Sequence, residues 1–68
     1  MNTKINELTQ QFADYTELYD KLQKELRAAE KEGDQNKINK YTARMEMVDH
    51  LMEAKSVAIQ KAVNELFA

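Results

Sequence analysis

The stretch INELTQQFADYTELYDKLQKELRAA (residues 5–29) decides the fold. Ile5, Leu8, Phe12, Tyr15, Tyr19, Leu22, Leu26 and Ala29 recur at alternating steps of three and four, the a and d positions of four heptads. A helix with that seam has to lie along another helix, because a narrow apolar stripe is buried no other way. Downstream, Glu32-Gly33-Asp34-Gln35 is the only break in a chain without proline. Gly33 suits the left-handed position after a helix end, Asp34 suits the N-cap of the next helix, and Lys31 complements the first helix's C-terminal dipole. The reading is all-α: helix 3–32, turn 33–34, helix 35–67, a single helical-hairpin domain over 1–68. So short a connection makes the helices antiparallel neighbours.

The second helix is patterned more broadly. Ile38, Tyr41, Met45, Val48, Met52, Ile59, Ala62 and Leu66 continue the 3-4 seam, with Lys55 interrupting it. Beside it runs a second row, Met47, Leu51, Ala54 and Ala58, with Val63 and Phe67 near the end. An arc this wide asks for two neighbours, and the first helix supplies only one. The row of Met47, Leu51, Ala54 and Ala58 is therefore the expected partner-binding surface. The expected core sets Ile5, Leu8, Phe12, Tyr15, Leu22 and Leu26 against Tyr41, Met45, Val48, Met52, Ile59 and Leu66. Tyr15 and Tyr19 belong at the seam's edge, where their hydroxyls reach water.

Size points the same way. Sixty-eight residues bury a thin core, and the usual staples are missing, with no cysteine and one histidine. Oligomerisation remains, so the hairpin is expected to double into a four-helix bundle as a homodimer, to bind a larger protein partner, or both. Hydrophobic residues at 43% and charged residues at 32% fit amphipathic helices, and no apolar run approaches a membrane span. Met1-Asn2-Thr3-Lys4 lacks the apolar stretch of a secretory signal, and absent cysteines suit the cytoplasm, the expected location.

No enzyme is expected. Ser56, the one serine, has no histidine within helical reach, and a single glycine cannot build a phosphate-cradling loop. His50 has Glu46, Asp49 and Glu53 nearby, with Asp14, Glu17 and Asp20 at a similar height, yet it reads as a surface residue. We expect no cofactor, metal or small-molecule substrate.

The formal net charge of −2 hides a polarity. Residues 21–44 hold Lys21, Lys24, Arg27, Lys31, Lys37, Lys40 and Arg44 against four acids, a net of +3. Residues 1–20 carry −3 and residues 45–68 carry −2. The hairpin is positive at its turn and negative at its open end. That polarity either orients self-assembly or offers the seven cations as an anion-binding surface for RNA. Acids interleaved with the cations weigh against the RNA reading.

In outline the chain is similar to the small dimeric RNA-binding regulators of plasmid copy number, and to type III secretion needle subunits and their co-chaperones. Lys37-Ile38-Asn39-Lys40-Tyr41 resembles the start of the needle subunits' second helix, although their turn carries a proline absent here. The likeness is one of shape and transfers no functional residue. The expected function is a small non-enzymatic protein–protein interaction module (a regulator, inhibitor, adaptor or chaperone of the sort phages and mobile elements encode). The alternatives are an RNA-binding bundle dimer and a structural or secretion-apparatus subunit.

Overall fold

The structure is a computed structural model that describes residues 3–68. Helices α1 (Thr3–Glu32) and α2 (Gln35–Leu66) pack as a helical hairpin, a rod of 52 × 16 × 10 Å. The chain reverses through two backbone hydrogen bonds and one side-chain cap. Gly33 N–H donates to the Glu30 carbonyl at 3.2 Å, and Asp34 N–H donates to the Ala29 carbonyl at 3.1 Å. This pairing is the Schellman closure of a helix, and it needs its C′ residue in the left-handed region, where Gly33 sits at φ 69°. Asp34 then serves the next helix: its carboxylate accepts from Lys37 N–H at 3.1 Å, and its carbonyl accepts the first α2 bond, from Ile38 N–H, at 3.0 Å.

Lys37 Nζ reaches back across the turn to Glu32 Oε2 at 3.2 Å. The hydrogen bond and charge of Glu32, with Asp34 adding, raise the Lys37 pKa above its ordinary value. A raised lysine pKa contributes stability below the unfolded value and loses it as pH climbs through the folded one, so this pair is intact at neutral pH. Both partners are more than half exposed, and the pair is a minor contributor.

All eight α1 seam positions are removed from water to some degree. Leu22 and Ala29 are buried and the other six are half-buried. On α2, Val48 and Ala62 are buried, and Ile38, Tyr41, Met45, Met52 and Ile59 are half-buried. Ala29 and Ala62 lie toward opposite ends of the rod at 2% and 4% exposure. Small side chains there let the helix axes come close. Tyr15 and Tyr19 are half-buried, as seam-edge residues should be.

Leu66 departs from the expected core: it is 55% exposed. It lies 32 residues past Asp34, whereas the described part of α1 begins only 30 residues before Gly33, so no described turn stands opposite it. Phe67, expected inside α2, is its C-cap; its N–H bonds back to the Asn64 carbonyl at 3.2 Å.

The turn generates a testable outcome. A Cβ at position 33 would meet no atom within 4 Å, so Gly33→Ala costs only backbone strain, about 1–2 kcal/mol. Asp34→Ala removes the cap and costs about 1 kcal/mol. Thermal melts by circular dichroism should show each midpoint falling by several degrees. An unchanged midpoint in both would contradict the account of the turn.

Candidate interaction surfaces

The hairpin has two broad faces, one on each side of the seam. A shallow groove marks the first, floored by Phe12, Tyr19 and Leu26 of α1 with Met45 and Met52 of α2. Glu46, Asp49 and Glu53 line it on the α2 side. The geometry of α2 explains this row: steps of three and four keep the carboxylates on one strip beside Met45 and Met52.

The second face carries the expected partner-binding row. Successive residues turn by about 100°, so Leu51 falls on the other side of the α2 seam from Met52. Met47 and Leu51 are 64% and 39% exposed, Ala54 is exposed and Ala58 is half-buried. Leu18 of α1, 42% exposed, falls on the other side of its own seam from Tyr19 and so joins this face. The turn at Gly33 and Asp34 sets Leu18 level with Asp49, between Met47 and Leu51. Leu18 is not an a or d residue of α1; its place three residues after Tyr15 and four before Leu22 is the signal that finds it. Val57, 64% exposed, lies outside both rows and borders the open-end recess of the groove beside Ser56.

Val63 and Phe67 do not extend the Met47 row. The five residues from Ala58 to Val63 turn the helix by about 140° beyond one full turn, which carries Val63 to the groove side. Val63 is half-buried there, and Phe67 is 85% exposed.

The seven candidate anion-binding residues are all exposed, and they do not form one surface. Lys24, Arg27 and Lys31 run along the back of α1, away from α2. Lys21 turns from that row toward the Leu18 side. Lys37, Lys40 and Arg44 follow the edge of α2 that carries Leu51. Lys37 is engaged by Glu32, and Lys40 Nζ lies 5.5 Å from the centre of the Tyr41 ring. His50 is exposed, and among the described residues no three His, Asp or Glu side chains gather as metal ligands. Among the same residues, no helix is long and apolar enough to cross a membrane.

Lys55 takes a seam position level with Phe12 and is half-buried. A lysine there keeps its stem against the seam and its ammonium at the edge, which costs packing. No family model, curated protein or solved structure matches the chain.

Lys55→Leu should raise stability by about 1 kcal/mol, the gain from completing an apolar seam. Chemical denaturation should show a higher midpoint. A lower one would mean that the lysine is held by a favourable contact.

Proposed function

We propose that the protein is a small non-enzymatic protein–protein interaction module that works through the Leu18, Met47, Leu51, Ala54 and Ala58 face. Its first partner is a second copy of itself, and the pair forms a four-helix bundle. The observation that carries this reading is area. The chain exposes 5328 Å². A compact monomer of its 7.9 kDa exposes about 4,400 Å². The excess, about 900 Å² per chain, is close to the roughly 800 Å² each partner contributes to a standard interface.

Two further features favour a second copy, arranged antiparallel. Leu18 and Leu51 lie close to the midpoints of α1 and α2, so a two-fold axis through that level brings the patch onto itself. The same axis sets each turn end, with its +3, beside the partner's open end, where −3 and −2 converge. A parallel pair would stack like charge on like. The reading takes the cytoplasm as the compartment, since a chain without cysteine gains nothing from an oxidising one.

Light scattering should report a mass near twice 7.9 kDa for the wild type. Leu51→Glu sets a charge in the centre of the patch and should halve that mass while helicity is retained, because the residue lies outside the hairpin's own seam. A variant that stays dimeric would overturn the choice of face.

A further inference from the structure

The groove on the opposite face is a different kind of surface, and we infer that it is a docking site for a basic amphipathic helix. The proposal is independent of the pairing described above, which uses the other side of the hairpin. Three observations fix the occupant's chemistry.

The first is shape. Two shallow recesses meet at Asp49 and lie end to end on this face, from Thr42 to Val57. At 1.5 Å per residue that is about 22 Å, the length of four helical turns. A trough between two helices accepts a third helix by its apolar stripe.

The second is the floor. Phe12, Tyr19, Leu26, Met45 and Met52 are all half-buried, so the hairpin covers them only in part. Two methionines in the floor suit a site that adapts to its guest, because their side chains are flexible and polarizable.

The third is charge. Glu46, Asp49 and Glu53 line the trough, and no lysine or arginine does. The ion pair found in the described residues is Lys37 with Glu32, at the turn, and these three carboxylates have neither an ion pair nor a hydrogen bond. Their 3-4 spacing is that of one helix face, so lysines or arginines at the same spacing along the edge of a guest helix meet all three. An acidic guest is repelled by the same row.

The test uses two synthetic helical peptides of about 16 residues, alike in their leucine stripe. One carries lysine along the flanking row and the other glutamate. The readouts are fluorescence anisotropy at low and high salt and the resonances of isotope-labelled methionine methyls. The lysine peptide should bind at least about tenfold more tightly than the glutamate peptide, with affinity falling as salt rises. The combined Glu46→Gln, Asp49→Asn and Glu53→Gln variant, altered only at exposed positions, should lose that preference and keep its helicity. Met45 and Met52 methyls should shift on binding, and Met47, on the other face, should not. The proposal fails if neither peptide binds, if both bind alike, or if Met47 alone responds. It also fails if Met45 and Met52 shift on diluting the protein by itself, since a second copy would then occupy the groove.

Discussion

Two helices side by side touch along one line, and along it, among the described residues, only Leu22, Ala29, Val48 and Ala62 lose nearly all contact with water. Every other large side chain of the seam is partly wet. Among the described residues no third element covers them, and a chain without cysteine has no disulfide to constrain its unfolded state. The turn contributes register: Gly33 and Asp34 close one helix and open the next without an intervening residue, so the two seams meet from the first turn.

The two open strips follow from that shortage of cover. A stripe buried between two helices leaves a strip on each side of it, and the strips have diverged. One carries Leu18, Met47 and Leu51 at mid-length, with small alanines toward the open end. The other carries methionines and aromatics edged by three unpaired carboxylates. A bare apolar strip placed symmetrically suits a copy of itself, whereas a strip edged with one sign of charge suits something of the opposite sign. Turn-end cations do not compete for either role as a group, because the helical twist spreads them over the back of α1 and one edge of α2.

The helical period made most of the fold legible. Steps of three and four name a helix face whatever packs against it, and the single glycine marks the turn. What the period could not show was which side of each seam the other helix leaves open. That depends on the handedness of an antiparallel pair, so Phe12, Met45 and Met52 read simply as core, although they also floor a groove. Val63 and Phe67 are near the Met47 row in sequence but not in degrees around the helix. Leu66 holds a sound seam position, but the level opposite it lies before the described part of α1. Leu18 escapes a heptad count, which records the line of contact and not its flanks.

The proposed antiparallel pairing of two hairpins through their midpoints is tested most directly by an intermolecular distance. The chain has no cysteine, so a spin label at Asn36→Cys, beside the turn, reports one distance per dimer. Antiparallel pairing predicts labels about 45 Å apart, the length of a helix of 30 residues. A separation below about 20 Å would mean that the turns lie side by side, as helices packed in parallel place them, and the absence of any dipolar coupling between chains would mean that no pair forms; either result contradicts the account.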